Sequence, residues 1–349
     1  MRAWVVRGTG EPWDAFERGE FPEPTHAALS RLALDLVGLR ERRPGEAAVD
    51  HYAFLRVRTA GLAWPDVTMA NGEYPVPIPR PYVSGQEAVG IVEDATPSLR
   101  HLLGKRVMAF TPQPFGSFAE RCVATMPTLY ECPPQLSDAE GAAFLIASHT
   151  AYHAVHRRGQ VRAGETALVL GASGGVPSMA LQLCVAAGLR TIAVAGGEEK
   201  AAFCRALGAQ VAIDHRAEDV AARVRQETDG RGVDVIVDFV QGREGAAARE
   251  LLATEGRHVM AGHAGGLLPV HPNEFYLQNR TLVGCCMGYG YGEQLPEIER
   301  VAHEHLLGLL AAGRLKPLVT REVAFDEIPH ALRDLAERRS IGRIVARVG

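Results

Sequence analysis

Residues 169–190 read V-L-G-A-S-G-G-V-P-S-M-A-L-Q-L-C-V-A-A-G-L-R. The apolar run Thr166–Leu170 predicts a strand, and the apolar residues that begin at Met179 predict a helix. Gly188 is of the residue type that commonly ends a helix, and a second apolar run, Thr191–Val194, follows soon after it. The segment is therefore predicted to form a β-α-β unit.

Three glycines, Gly171, Gly174 and Gly175, stand between the predicted strand and helix. Because they lack side chains, backbone N–H groups can approach a pyrophosphate here, and the N-terminus of the next helix favours negative charge. A dinucleotide is predicted to bind at this turn. Since glycines also form ordinary turns, the prediction depends on what the rest of the chain encodes.

Length and composition exclude several classes of protein. A chain of 349 residues with 47% hydrophobic residues is expected to form two domains with full cores. The net charge is 37 − 41 = −4, without a long basic run, so no nucleic-acid partner is expected. No segment resembles a signal peptide or a membrane span, so a soluble, cytoplasmic protein is expected. The six cysteines lack a C-x-x-C pair and are expected to be ordinary thiols.

Residues 1–143 carry short β-like runs separated by Pro and Gly, without a long helical pattern, which predicts a mostly β domain built as a small barrel. The predicted strands are Ala3–Val6, Phe54–Thr59, Ala88–Val92, Arg106–Phe110 and Phe118–Val123. The region between Trp13 and Val57 fits this pattern least, because Leu29, Leu32, Leu34 and Leu36 match neither the helical nor the strand period.

Strands and helices alternate through residues 144–288, which predicts a doubly wound parallel sheet, the Rossmann architecture. Besides the β-α-β unit, the predicted helices are Ala143–Val155, Glu198–Leu207, Ala217–Thr228 and Arg243–Ala253, and the predicted strands are Gln210–Ile213, Val233–Val237, Arg257–Ala261 and Thr281–Cys286. Residues 289–349 then hold the predicted helices Pro296–Ala312 and Glu327–Arg338 and the strand Arg343–Arg347.

Several segments resemble the zinc-independent quinone oxidoreductase and enoyl reductase branch of the medium-chain dehydrogenase/reductase superfamily. They are A-G-L-A-W-P-D (60–66), P-Y-V-S-G-Q-E-A-V-G-I-V (81–92), G-K-R-V-M-A-F (104–110) and A-S-G-G-V (172–176). The resemblance implies a GroES-like (chaperonin-10-like) catalytic barrel made of residues 1–143 and 289–349, with a Rossmann cofactor domain between them. Pro177 stands where the family has its last glycine, and a proline is tolerated in a first helical turn.

The end of the second strand of the β-α-β unit bears on the choice of cofactor. Enzymes that prefer NAD place an acid there, but this chain has Ala195, which favours NADPH. The resemblance implies that Gly196, Lys200, His215 and Arg338 hold the 2′-phosphate, with His215 in place of the usual tyrosine. Glu198 and Glu199 count against phosphate binding. The other cofactor-binding residues that the resemblance implies are Thr150, Ala172, Ser173, Gly174, Gly175, Val176, Val240, Gly262 and His263.

Zinc is not expected. The zinc enzymes of the superfamily carry Cys, His, and Cys or Asp ligands where this chain has Ala63, Gln86 and a residue near Ile146, and the four-cysteine structural site is missing too. His149, His153 and His156 are expected to be packing or surface residues rather than a metal site.

Tyr74, in N-G-E-Y-P, matches the segment that carries a catalytic tyrosine in related enoyl-thioester reductases, and a tyrosine that only stabilises a turn remains the alternative. The remaining residues that the resemblance places at the substrate are Trp64, Asp66, Tyr82, Ser148 and His149.

The primary hypothesis is an NADPH-dependent reductase of quinones or activated carbon–carbon double bonds. A non-catalytic NADPH-binding protein and a zinc alcohol dehydrogenase are the alternatives. The apolar strand at 281–287 is expected to lie at a sheet edge and to pair with a second copy, forming a homodimer.

Overall fold

The structure, a computed structural model, describes residues 1–35, 38–288 and 290–349. Its strands are β1 (Arg2–Val6), β2 (Phe16–Glu20), β3 (Leu32–Leu34), β4 (Leu39–Glu41), β5 (Tyr52–Gly61), β6 (Tyr82–Val83), β7 (Glu87–Ala95), β8 (Arg106–Phe110), β9 (Arg121–Thr125), β10 (Leu129–Glu131), β11 (Thr166–Leu170), β12 (Arg190–Ala195), β13 (Val211–Asp214), β14 (Val233–Asp238), β15 (Leu252–Met260), β16 (Thr281–Gly284), β17 (Val319–Ala324) and β18 (Arg343–Arg347).

The α-helices are α1 (Pro12–Ala15), α2 (His26–Leu29), α3 (Trp64–Asn71), α4 (Asp138–Ala142), α5 (Leu145–Tyr152), α6 (Gly175–Ala186), α7 (Glu198–Ala206), α8 (Val220–Glu227), α9 (Gly242–Arg249), α10 (Asn273–Tyr276), α11 (Leu295–Ala311) and α12 (Ile328–Ala336). Helix α5 continues as a π-helical turn over His153–Arg158. None of the helices in these described ranges is both long and apolar enough to cross a membrane.

The chain divides into two compact units. The first comprises Met1–Ile146, Tyr291–Glu299 and Pro317–Gly349, and the second comprises Ala147–Gly290 and Arg300–Lys316. The predicted boundaries at 143 and 288 stay a prediction. They assigned the whole of 289–349 to the barrel, whereas the second unit includes 300–316.

The first unit is built on β-sheets, as predicted. Its largest sheet has the order β10-β8-β7-β5-β18-β17, with β9 also paired to β5, and a smaller sheet has the order β2-β1-β6. The tail strand β18 pairs antiparallel with β5, so the C-terminal residues complete the barrel sheet. This is the discontinuous arrangement that the resemblance implies.

The segment between Trp13 and Val57, which fitted neither period, folds around a small core of its own. It contains β2, α2 and the hairpin β3–β4, followed by the first half of β5. Leu29 and Leu39 are buried there with Tyr52, Phe54 and Phe115, whereas Leu34 is exposed. Leu36 lies outside the described residues.

The second unit is the predicted doubly wound parallel sheet. Its strand order is β13-β12-β11-β14-β15-β16, and every pair of neighbours is parallel. The order reverses between β11 and β14, which is where open α/β sheets bind ligands. Leucine, isoleucine and valine side chains of these strands form its core.

Two predicted elements were clearly wrong in extent, and one helix was not predicted. The helix predicted at 243–253 ends at Arg249, because Leu252 pairs with Val233 and is buried in the sheet core as the first residue of β15. The strand predicted at 118–123 begins only at Arg121. Helix α3 interrupts a region in which no helix was predicted. It starts with Pro65 in its first turn and ends at Gly72, whose φ of 81° suits a helix end.

Candidate functional site

The glycine turn lies at the carboxyl end of β11, and helix α6 starts from it. Gly171 has a φ of +64°, and a Cβ there would lie 2.9 Å from Cγ2 of Val240, so this position suits glycine on both counts. The predicted residues Ala172, Ser173, Gly174, Gly175 and Val176 occupy the turn and the first residues of the helix. The strand, turn and helix follow one another as predicted, and the first N–H groups of the 12-residue helix α6 have no partners within the helix.

Pro177 is the third residue of α6. The first four N–H groups of a helix have no acceptor one turn earlier, so a proline here breaks no intrahelical hydrogen bond. Helix α6 indeed continues to Ala186. The proline does remove one N–H that could otherwise point toward a phosphate.

Basic side chains gather at the end of β12. A Cβ at Gly196 would lie 2.8 Å from Nε2 of His215 and 3.2 Å from Nε of Arg216. Gly196 therefore lies beside His215, and Lys200 lies in the first turn of α7. The role of these residues in holding a 2′-phosphate, which the resemblance implied, stays a prediction. Sequence reasoning missed Arg216, although it directly follows His215 at the end of β13.

The acid at this end of the sheet is Asp214, the last residue of β13. Its Oδ1 accepts hydrogen bonds from the backbone N–H groups of Gly197 at 2.7 Å and Arg216 at 2.9 Å. These two bonds are the main reason that the pKa of Asp214 is lowered. The carboxylate thus holds the two loops together.

The ends of β14 and β15 bring together two further predicted cofactor residues, Val240 and Gly262. The backbone N–H of Gly265 donates to the Val240 carbonyl at 2.6 Å, and a Cβ at Gly262 would lie 2.9 Å from the carbonyl oxygen of Phe239. His263 follows Gly262 in the same loop and is partly exposed. Sequence reasoning did not identify the buried residues that shape this turn, Asp238, Gln241 and His258.

The first unit contains a buried acidic cluster near the start of α3. Oδ2 of Asp66 accepts from the Ala63 N–H at 2.9 Å, and Oδ1 accepts from the Ser84 hydroxyl and the Gly85 N–H, both at 2.9 Å. Burial raises the pKa of Asp66 to about 6, although these bonds oppose the shift. Asp66 therefore ties the start of α3 to residues 84–85 from inside the protein.

Glu87 lies beside this cluster and is fully buried. Its Oε2 pairs with Nη2 of Arg343 at 2.5 Å, and its Oε1 accepts from the Ile146 N–H at 2.9 Å. Burial raises the pKa of Glu87 to about 7, and the Arg343 charge opposes the rise. This pair connects β7 to the tail strand β18.

The five predicted substrate residues differ in exposure. Trp64 is partly exposed, whereas Asp66, Tyr82, Ser148 and His149 are buried. Their contact with a substrate stays a prediction. The indole N–H of Trp64 and the hydroxyl of Tyr82 are buried atoms without a hydrogen-bond partner within the described ranges. Burial also raises the pKa of Tyr82.

Tyr74 follows the C-terminus of α3 and is partly buried. Its backbone N–H and that of Glu73 both donate to the Thr68 carbonyl at 2.9 Å, which closes the end of the helix. The backbone at Tyr74 thus has a structural role that does not involve its hydroxyl.

Histidines and Tyr152 pack together between α5 and α11 in the second unit. Nε2 of His149 lies 3.1 Å from Nδ1 of His303, and the rings of His156 and His305 lie 5.2 Å and 5.3 Å from the ring of Tyr152. Their packing agrees with the expected structural role.

Thr150, predicted to bind cofactor, donates to Sδ of Met287 at 3.8 Å. Arg338, predicted to hold the 2′-phosphate, lies in the first unit with a φ of +59°.

Known proteins share both units. The family described as "Alcohol dehydrogenase GroES-like domain" matches residues 50–160, and the family described as "Zinc-binding dehydrogenase" matches residues 175–303. A quinone oxidoreductase from Thermus thermophilus, also solved as a complex with NADPH, is 31% identical, covers 100% of both chains and has a TM-score of 0.80. The chain belongs to the medium-chain dehydrogenase/reductase superfamily, in its quinone oxidoreductase branch.

Two further relatives differ in how much of their length this chain covers. Quinone oxidoreductase-like protein 2 from Bos taurus is 28% identical over 99% of this chain and 96% of its own length. The phthioceranic/hydroxyphthioceranic acid synthase of Mycobacterium tuberculosis is also 28% identical over 90% of this chain, which spans only 15% of that protein.

The residue types at the superfamily's zinc positions are unusual for a zinc-binding dehydrogenase. Ala63 has no donor atom, and Gln86 is buried with its Nε2 donating to Sδ of Met69 at 3.8 Å. Within the part of the chain that the structure describes, no three or more His, Cys, Asp or Glu side chains are grouped to hold a metal ion. The expectation of a zinc-free enzyme stays a prediction that rests on these residue types.

Proposed function

We propose that this chain is an NADPH-dependent, zinc-free oxidoreductase that reduces quinones or the activated double bonds of α,β-unsaturated carbonyl compounds. The observation that carries the proposal is the carboxyl end of the parallel sheet. A glycine turn opens α6 there, and His215 and Arg216 face Gly196 at the end of β12. When bound, NADPH supplies a hydride from C4 of its nicotinamide.

The residues at the end of β12 fit a 2′-phosphate better than a bare ribose. Ala195 offers no carboxylate to the ribose hydroxyls, and the nearby Asp214 already accepts two backbone hydrogen bonds. Lys200, His215 and Arg216 lie at the same end of the sheet, and guanidinium groups pair well with phosphate. We therefore add Arg216 to the predicted phosphate residues Gly196, Lys200, His215 and Arg338.

The barrel side suits an acceptor that needs no Lewis acid. The zinc enzymes of the superfamily polarise an alcohol or ketone with the metal, but a quinone or enone is already electrophilic. The protein then has to orient the acceptor, exclude water and, for an enone, protonate the enolate that hydride addition leaves. We propose that Tyr74 donates this proton and that Trp64 contacts the acceptor.

A homodimer is part of the proposal. Strand β16 is the terminal strand of the six-stranded sheet, and Leu267, Leu268, Tyr276 and Leu277 are exposed in the segment that precedes it. An edge strand beside exposed apolar side chains favours pairing with a second copy.

The test is turnover by the purified protein with NADPH and a panel of quinones, enones and enoyl thioesters. We expect acceptor-dependent loss of the nicotinamide absorbance with at least one of these classes. Tight NADPH binding in a calorimetric titration without turnover on any acceptor would instead favour the non-catalytic binding protein. Failure of the folded protein to bind NADPH would refute both hypotheses.

A further inference from the structure

One carboxylate organises the turn that follows β14. Oδ1 of Asp238 accepts from the backbone N–H groups of Val240 at 2.7 Å and Gln241 at 2.8 Å. Oδ2 accepts from Nε2 of Gln241 at 2.9 Å and lies 2.8 Å from Nε2 of His258. All three side chains are buried, with Asp238 and His258 at 0% exposure and Gln241 at 5%. Four polar groups thus surround a single buried carboxylate.

The carboxylate also fixes which ring nitrogen of His258 donates a hydrogen bond to it. A carboxylate only accepts hydrogen bonds, so Nε2 of His258 carries the hydrogen that it donates to Asp238. Nδ1 of the same ring is buried and has no hydrogen-bond partner among the residues in the described ranges.

Gln241 has a backbone conformation that side chains rarely adopt. Its φ is 58° and its ψ is −145°, a region that is used almost only by glycine. Such a conformation persists where the surroundings enforce it, and such positions cluster at functional sites. Here the enforcing contacts are the two bonds from Gln241, through its backbone N–H and its side-chain amide, to Asp238.

The turn lies at the point where the strand order reverses. Asp238 is in register with Leu170 on β11, and Cγ2 of Val240 lies 2.9 Å from the Cβ position of Gly171. The turn after β14 therefore contacts the glycine turn before α6. Any shift of Val240 changes the wall of the crevice in which a dinucleotide binds.

We propose that Gln241 is a positioning residue for the dinucleotide, acting through Asp238 and together with His258. Its amide holds the positive φ at residue 241, and this conformation keeps Val240 against the glycine turn. Asp238 itself is fully engaged by protein donors and is buried, so it acts through the turn rather than on the ligand. The inference rests on the proposed function, because it takes NADPH as the ligand.

The test compares Gln241→Ala with Gln241→Gly by calorimetric titration with NADPH, alongside thermal unfolding and steady-state kinetics. Alanine is strained at this positive φ and has no amide to hold it, so we expect its Kd for NADPH to rise about tenfold, the scale of the strain at such a backbone position. Glycine adopts the same φ without support, so Gln241→Gly should recover most of the affinity. The value of kcat at saturating NADPH should stay near that of the wild type.

The matched control is Gln182→Ala. Gln182 is 7% exposed and its amide bonds to both backbone groups of Lys316, so its loss tests a buried glutamine outside the turn. We expect the control to lose thermal stability but to keep the wild-type Kd. A second variant, His258→Leu, removes a different donor from Asp238 and should also raise the Kd, and it replaces Gln241→Ala if that variant does not fold.

The proposal would be overturned by a wild-type Kd in Gln241→Ala or His258→Leu, whatever their unfolding temperatures, because the network would then be purely structural. Equal losses of affinity in Gln241→Ala and Gln241→Gly would overturn it too, since glycine should rescue a position defined by its φ. A wild-type protein that binds no NADPH would refute the proposed function itself. The wild-type titration alone therefore distinguishes failure of the proposed function from failure of the role proposed for Gln241.

Discussion

Arg216 gives the sharpest prediction at the scale of single residues. Its side chain is exposed and its Nε lies 3.2 Å from the Cβ position of Gly196, where the 2′-phosphate is proposed to bind. Arg216→Ala should weaken NADPH binding about tenfold or more, because charge-assisted bonds to phosphate are strong, and should leave NADH binding nearly unchanged.

The measurement is a pair of titrations with NADPH and NADH. Arg225→Ala is the matched control, since Arg225 is an exposed arginine of the same unit in the last turn of α8. Equal weakening of both cofactors, or of neither, would remove Arg216 from the phosphate site.

Tyr74 separates the two proposed substrate classes. Reduction of a quinone gives a stabilised anion that water can protonate, whereas an enoyl substrate leaves an enolate whose α-carbon must receive a proton. Tyr74→Phe should therefore lower kcat on enones or enoyl thioesters by ~10²- to 10⁴-fold and spare quinones. The KM for NADPH should not change. An equal loss on both classes would mean that Tyr74 only shapes the cleft.

At the scale of single residues, some features could be predicted from this sequence and others could not. The glycine turn is a local pattern within five residues, so it was predictable. The Asp238–His258 contact joins residues 20 apart on neighbouring strands, and the positive φ of Gln241 has no local signal because glutamine rarely adopts it. Neither was predictable from the sequence.

At the scale of elements, His156 in the π-helical extension of α5 allows a prediction of how folding stability depends on pH. Burial, and then the neighbouring His305, lower the pKa of His156 to about 4. The unfolded chain holds this histidine near its ordinary pKa of about 6.5, so between these two values the unfolded state binds more protons. The contribution of His156 to stability is therefore fully present above about pH 6.5 and is lost as the pH falls toward 4.

The His156→Phe variant should lack this pH-dependent contribution to stability. The free energy of unfolding in urea, measured at about pH 7.5 and about pH 5, should fall less in the variant than in the wild type. His101→Phe is the control, because His101 is exposed in the first unit and its replacement should leave the wild-type difference in place. The same pH dependence in wild type and His156→Phe would contradict the assignment of this loss of stability to His156.

Elements with a strong local pattern were predicted well. Thr166–Leu170, Arg106–Phe110 and Arg343–Arg347 form strands with the predicted bounds, because each has an apolar centre and begins one or two residues after a glycine. The segment 243–253 looked helical throughout, but its last residues enter β15, since burial of Leu252 in the sheet core outweighs local helix propensity. The hairpin β3–β4 has too few residues to show a period.

At the scale of the whole molecule, the alternation of strands and helices predicted the parallel sheet of the second unit, and the resemblance implied the return of the tail to the barrel. The assignment of residues 300–316 to the second unit had no signal in the sequence, because helix α11 runs without interruption from Leu295 to Ala311.

The proposed homodimer is also a property of the whole molecule. Light scattering at micromolar concentration should give the mass of two chains. Leu277→Asp, in the exposed apolar segment before β16, should shift the protein toward a single chain, because a charge opposes burial there. Leu103→Asp is the matched control, since Leu103 is an exposed leucine of the first unit and its replacement should leave the mass unchanged. A wild-type mass of one chain would contradict the dimer.

NADPH-dependent reduction without zinc is tested most directly by turnover after exhaustive treatment with a chelator, with elemental analysis of the same sample. Because Ala63 and Gln86 replace the superfamily's zinc ligands, we expect negligible zinc and undiminished reduction of a quinone or enone by NADPH. About one zinc per chain, with activity that chelation abolishes and added Zn²⁺ restores, would contradict it.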